Sequence, residues 1–328
     1  MIDVSTAAAP RRLPQFSLAK HGAFLALLAL LAFNLLFTPH FASLQTFNVN
    51  MTQVAPIVIV AVGMTLVIAT AGIDLSVGSL MAVAGQLAPL IFLDKVLGLP
   101  VYLIIPLAFI VPLIVTTLLG LFNGILVSHY RIQPIVATLV LYIAGRGIAQ
   151  VLTNGNLVTF REPNFQWIGL ARPLGVPVQS IAMVIFVVAA IWLVRKTLFG
   201  RSVLAVGGNE TAAYLSGMSV GKIKRRVYMI SGLCAGFAGL IVIAINSSSD
   251  ANQVGLGMEL DAIAAVAVGG TPFAGGKANL VGTLLGALII QLVRYSLIAN
   301  GVPDAAALVV KAGLIVLAVW LQRHGKNG

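Results

Sequence analysis

The sequence predicts an all-α, polytopic membrane protein of about ten transmembrane helices, and three observations lead there. Charged residues make up only 9% of the 328 residues and apolar residues 59%, whereas a soluble domain carries roughly a quarter charged residues. Mean hydropathy is +1.03. Apolar runs recur from residue 22 to residue 321, many of them near the ~20 residues that one helical crossing of a bilayer needs.

Segmenting on that length gives ten candidate spans in order. Residues 1–21 are a basic leading segment, and the run at 22–38 has no small-x-small cleavage site after it (FTPHFAS is a poor match), so it reads as an uncleaved first span. There follow 51–71, 75–93, 101–127 (long enough to tilt), 133–153, 180–195, 227–246, 259–271, 280–299 and 304–321. The eighth is short for a full crossing. Together 22–321 form one transmembrane domain, with 322–328 as a trailing tail.

Charge sets the orientation. With the N-terminus inside, the inner segments hold Arg11, Arg12, Lys20, Arg131, Arg195, Lys196, Arg201, Lys222, Lys224, Arg225, Arg226, Lys277, Arg323 and Lys326, against Lys95, Arg161 and Arg172 outside. Cytoplasmic loops retain Lys and Arg, so both termini are expected in the cytoplasm. The net charge of +11 is therefore topological, with no nucleic-acid partner implied. Arg146 and Arg294 fall near outer span ends, where they could snorkel, and Lys311 is more central.

Chemistry is sparse. The single cysteine, Cys234, rules out an intramolecular disulfide. No histidine has metal-ligand spacing, and no Ser/His/Asp grouping or HExxH run occurs. AGGKAN at 274–279 lacks the GxxxxGK[ST] spacing that cradles phosphates. No enzyme activity, metal or cofactor is expected in this chain; any ATP and Mg would belong to a partner.

Acids in apolar sequence stand out instead. Asp74 lies one residue before the third span, at an inner turn, where it can cap the N–H groups of Ser76 and Val77. A deeper position, as a break within a helix, would put the same cap beside the path. DLSVGSLMAVAG (74–85) overlays ELDAIAAVAVGG (259–270) without a gap, aligning Asp74 with Glu259. The five-helix offset would make these inverted copies, a 5+5 repeat. Glu259 and Asp261 could cap the eighth span near the outer face. Gly120 and Gly124, Gly232 and Gly236, and Gly282 and Gly286 have the spacing of close helix contacts.

The inner loop 195–226 contains VGGNETAAYLSGMSVGKIKRR. Asn209 can cap a short helix running Glu210, Thr211, Ala212, Ala213, Tyr214, Leu215, Ser216, which Gly217 can end. Such a helix with a small-residue face suits another protein's groove; an interfacial helix held by basic flanks is the alternative.

Here GMTLVIATAGIDLSVGSLMAVAG, FNGILVSHYRIQPIVATL, AVGGNETAAYLSGMSVGKIKRRVYMISGLCAGFAGL and ELDAIAAVAVGGTPFAGGKANLVGTLLGALIIQ resemble the ribose- and galactofuranose-type permeases of ATP-binding-cassette (ABC) sugar importers. The resemblance covers roughly residues 45–321. It implies a multi-pass protein of the bacterial cytoplasmic (inner) membrane that pairs with a second permease subunit, identical or not. A cytoplasmic ABC ATPase would bind through 209–217, and a periplasmic sugar-binding protein would deliver a monosaccharide outside.

A neutral sugar needs hydroxyl and amide partners along a gap between helices. Asn50, Thr52, Gln53, Thr65, Ser76, Gln86, Asn123, Gln150, Asn246 and Ser247 are candidates, with Ser248, Asp250 and Asn252 near the outer mouth; each could instead tie helix to helix. In the outer loop 154–180, Phe165 and Trp167 suit docking of the binding protein or a membrane-interface anchor. The rivals to ATP-driven alternating access are a proton-coupled carrier titrating Asp74, Glu259 and Asp261, and a passive channel.

Overall fold

A computed structural model describes residues 18–93, 98, 100–303, 305–307, 309–310, 312–313 and 316, with side chains from Gly22 onward. Its helices are α1 (Leu18–Phe37), α2 (Leu44–Ala69), α3 (Val77–Leu93), α4 (Val101–Ser128), α5 (Pro134–Leu152), α6 (Pro163–Leu170) and α7 (Val178–Lys196). They continue as α8 (Leu198–Gly208), α9 (Glu210–Leu215), α10 (Val220–Asn246), α11 (Met258–Val268) and α12 (Leu280–Ala299). One antiparallel pair of two-residue strands, β1 (Val158–Thr159) and β2 (Ser248–Ser249), joins two loops.

Nine of the ten expected spans coincide with helices; most of the tenth, 304–321, including Lys311, lies outside the described residues. Among the described residues, six helices (α2, α4, α5, α7, α10 and α12) are long and apolar enough to cross a membrane. Two start seven residues earlier than hydropathy indicates. α2 begins at Leu44, where the Ser43 hydroxyl accepts from the Thr46 N–H at 3.1 Å. α10 begins at Val220, so KIKRR lies on its first turns. Helical backbone continues into polar sequence that an apolar-run criterion cannot see. α11, with 11 residues, spans only about 16 Å at 1.5 Å per residue, half of a ~30 Å hydrocarbon core.

Small residues fix helix directions. Gly120 and Gly232 meet with a backbone atom of one 3.3 Å from the Cβ position of the other, and a Cβ on Gly124 would stand 2.7 Å from the Arg225 Cα, so α4 runs antiparallel to α10. α2 is also antiparallel to α10, with Gly63 against Ser231 and Gly72 under the Tyr228 hydroxyl. α3 runs parallel to α10: Asp74 meets Ser231, Gly239 faces Met81, and Gly85 faces Ile243. α12 is antiparallel to α2 through Thr65–Thr283 (2.9 Å) and Gln53–Gln291 (3.1 Å). α11 in turn opposes α12, Gly269 lying against Gly282.

These pairings place two helix starts in the middle of the bundle. Gly78, between the levels of Ser231 and Gly239, sits about halfway along α10, a helix of 27 residues. The Gly255 carbonyl and the Glu259 carboxylate both press on the Gly78 Cα, leaving no room for a side chain. α11 leaves this level toward the basic end and α3 toward the opposite end. The non-helical stretches 70–76 and 247–257 are therefore internal breaks.

Gly232→Ala should cost about 1–3 kcal/mol as overpacking against the Thr116 carbonyl. Gly147→Ala, with nothing within 4 Å of the new methyl, should be neutral or stabilising by up to ~1 kcal/mol through helix propensity. Thermal unfolding in detergent checks both.

Candidate functional site: two broken spans that meet

Asp74 is fully buried. One carboxylate oxygen accepts from the Ser76 N–H (3.0 Å) and the Ser76 hydroxyl (2.6 Å); the other accepts from the Ser231 hydroxyl at 2.7 Å. Asn123 Nδ2 donates to the Ser76 hydroxyl at 2.9 Å. The chain Asn123–Ser76–Asp74–Ser231 thus joins α4, α3 and α10. Of the two expected cap bonds only that from Ser76 forms among the described residues, because Asp74 closes an Asx-type turn two residues on and does not occupy the N-cap. The turn lies inside the bundle, where a hydrogen-bonded polar group avoids a desolvation cost of several kcal/mol. α5 steadies it: Thr138 Oγ1 accepts from the Leu75 N–H at 3.1 Å, and Ser79 donates to the Leu141 carbonyl at 2.8 Å.

The second break is held from the same helix. Arg146 Nη1 donates to the Ala251 and Val254 carbonyls, each at 2.6 Å. Gln150 Nε2 donates to Asn252 Oδ1 at 2.7 Å, and Asp250 accepts from the Asn252 N–H at 2.8 Å. Arg146 therefore does not snorkel; it saturates two carbonyls of the turn segment 247–257. Glu259 and Asp261 stand at the start of α11, deeper than expected. Both are buried in the first turn of α11, at mid-bundle, and the N-cap is Gly257 in the left-handed region (φ 74°) with no side-chain cap bond. Their negative charge still favours the positive end of the helix.

The remaining candidates do not line one gap within a single chain. Asn50, Thr52, Gln53 and Thr65 lie along α2; Gln53 and Thr65 bond to α12, and Asn50 bonds back to the Thr46 carbonyl at 3.0 Å. Ser76 and Asn123 belong to the Asp74 chain. Gln86 on α3 is fully buried, with neither amide atom hydrogen-bonded among the described residues. Gln150, Asn246 and Ser247 lie toward the end away from the basic one, Ser247 accepting from Gln166 Nε2 at 2.6 Å. Phe165 is buried against Phe92, Phe109 and Phe160 (ring centroids 5.0, 4.8 and 5.7 Å) and so offers no docking surface. Trp167 is 59% exposed.

At the basic end, Asn209 caps α9 by accepting from the Ala212 N–H at 2.9 Å, and Gly217 follows the helix in the left-handed region (φ 80°). Glu210 pairs with Lys224 on α10 at 2.6 Å. Ala213 turns inward and is buried, so the exposed face carries Thr211, Ala212, Tyr214 and Leu215, larger than a small-residue face. Sequence reasoning missed Ser231 and the role of Arg146. The signal for Ser231 was a lone hydroxyl one residue before Gly232 in an apolar run.

Asp74→Ala should destabilise by about 2–5 kcal/mol, since it strands up to three buried donors at 1–3 kcal/mol each with partial relaxation, and Ser231→Ala by about 1 kcal/mol. Arg146→Met should accelerate hydrogen exchange across 250–257 while leaving 134–145 slow. Denaturation in detergent and exchange mass spectrometry read these outcomes.

Residues 48–319 match the family described as branched-chain amino acid transport system / permease component. The chain is 42% identical over 306 residues to the ribose import permease protein RbsC of Escherichia coli (strain K12), covering 92% of this chain and 93% of that one. It is 42% identical over 272 residues to the galactofuranose transporter permease protein YtfT of the same organism, covering 83% and 78%. To the L-arabinose ABC transporter permease protein AraH of Azospirillum brasilense it is 32% identical over 311 residues, covering 94% and 88%. No solved structure matches the chain. With a family match across most of its length and relatives this similar, the chain belongs to the branched-chain amino acid transport system permease component family and is a multi-pass transport subunit of the inner membrane.

Proposed function

We propose that this chain is the membrane-spanning subunit of an ABC importer that carries a monosaccharide of the ribose or galactofuranose kind into the cytoplasm by alternating access. The observation that carries the reading is the 42% identity to a ribose import permease over 92% of the chain. Similarity to galactofuranose, arabinose and fructose permeases supports a sugar over the amino acids of the family description. In this reading the basic end faces the cytoplasm with both termini. A second permease subunit completes the path, a periplasmic sugar-binding protein docks on the opposite end, and a cytoplasmic ABC ATPase binds ATP and Mg.

The ATPase is assigned to α9. Tyr214 and Leu215 are 70% and 78% exposed, a shape suited to insertion in a partner's groove as aromatic and aliphatic anchors. Asn209 and the Glu210–Lys224 pair hold the helix at a fixed angle to α10. Gln86, whose amide finds no partner among the described residues, is the group most available to a sugar as the halves rearrange.

The test is reconstitution of the complex in liposomes with labelled ribose and galactofuranose. Uptake should require ATP and the binding protein and resist a protonophore. Replacing Tyr214 and Leu215 together with alanine should reduce uptake about tenfold or more, the effect of losing anchor residues, with membrane insertion intact. Uptake that needs no ATPase, or that collapses with the proton gradient, overturns the reading.

A further inference from the structure

The end of α8, the end of α2 and the loop between α11 and α12 meet backbone to backbone. The Gly276 N–H donates to the Ala69 carbonyl at 3.0 Å, satisfying one of the last carbonyls of α2 from outside that helix. The Cα of Gly207 lies against the same Ala69 carbonyl, and a Cβ there would also stand 2.7 Å from the Gly276 nitrogen. Gly275 (φ 82°) and Gly276 (φ 76°) are both left-handed; a Cβ on Gly275 would lie 2.7 Å from the Gly207 oxygen and 2.9 Å from the Ala71 nitrogen. Only glycine permits this approach.

What the three segments carry makes the junction informative. α8 leads through Asn209 directly into α9. Ala69 stands five residues before Asp74, and the intervening Gly72 is covered by the Tyr228 hydroxyl, 2.7 Å from where its Cβ would be. The third segment leads to Asn279, which accepts from the Gly282 N–H (3.0 Å) at the start of α12 and donates to the Gly269 carbonyl (2.8 Å) after α11. One knot of glycines therefore touches the element that presents α9 and the supports of both broken spans.

We propose that this glycine clasp is the rigid link through which movement of α9 displaces the Asp74 turn and the foot of α11. The proposal rests on the reading of α9 as the ATPase-binding element. Its physical content is the lack of slack: packed side chains absorb a displacement by changing rotamer, whereas a carbonyl oxygen pressed on a glycine backbone has no rotamer to change. Gly207 acts as a positioning residue, through Ala69.

The clasp can be probed in the reconstituted importer by counting sugar molecules taken up per ATP hydrolysed. Gly207→Ala forces the α8 end off the Ala69 carbonyl and should lower that ratio about tenfold or more, the scale of 1–3 kcal/mol of overpacking, with the ATPase still co-purifying. Gly208→Ala, whose methyl meets only the Gly276 Cα at 3.9 Å, should leave the ratio unchanged. A normal ratio in Gly207→Ala, or an equal loss in Gly208→Ala, overturns the proposal. Hydrogen exchange at the Gly276 amide of the unaltered complex needs no variant: a rigid link keeps it equally slow with and without ATP, and fast exchange in either state overturns the proposal. If the unaltered complex takes up sugar without any ATPase, the reading of α9 falls and takes the clasp's role with it.

Discussion

Within a lipid bilayer every backbone amide and carbonyl has to find its partner inside the protein, and this constraint organises the molecule. An unbroken helix meets it alone. A chain that interrupts two spans at mid-bundle has to supply the missing partners from side chains, which explains where its few polar residues stand. Asp74 and Thr138 serve the first break; Arg146 serves the second. That Thr138 and Arg146 both project from α5 makes this helix a common brace for breaks that lie far apart in sequence.

The brace depends on close approach elsewhere. α10 can stand between α2, α3 and α4 only because Gly63, Gly232, Gly236 and Gly239 remove the side chains that would hold the helices apart. Dispersion over such close approaches, not hydrophobic expulsion from water, drives association among lipid chains as apolar as leucine. The exposed apolar faces of α4, α5 and α7 are then the ordinary lipid-facing side of the bundle. Asn123 and Thr138, which meet the Asp74 turn, lie on the buried faces of α4 and α5.

Much of this was legible in the sequence, and the limits have physical causes. Long apolar runs announced their helices because a crossing demands a minimum length. Asn209 and Gly217 announced the bounds of α9 because capping is local chemistry. The glycine pairs were visible on each helix separately, but which pair meets which is a tertiary fact: Gly120 faces Gly232, and Gly282 faces Gly269. Asp74 stood out as an expensive residue, yet its partner Ser231 lies 157 positions away, a distance no local pattern bridges. Hydropathy placed the eighth span at 259–271, short for a full crossing, because the polar turn residues 247–257 that precede the half-length helix break the apolar run. Phe165 was misjudged for a related reason: an aromatic in a polar loop reads as surface until its three ring neighbours are known.

The two-residue ribbon between 158–159 and 248–249 carries one more implication. Phe160, which donates its N–H to the Ser247 carbonyl at 3.1 Å, sits immediately beyond the ribbon with its ring among the other phenylalanines. Neighbouring positions in an extended strand face opposite ways, so sliding by a single step would expel that ring and bring Thr159 in its place. The loop 154–180 is consequently held in a single register, with the Phe160 ring as its anchor among Phe92 and Phe165.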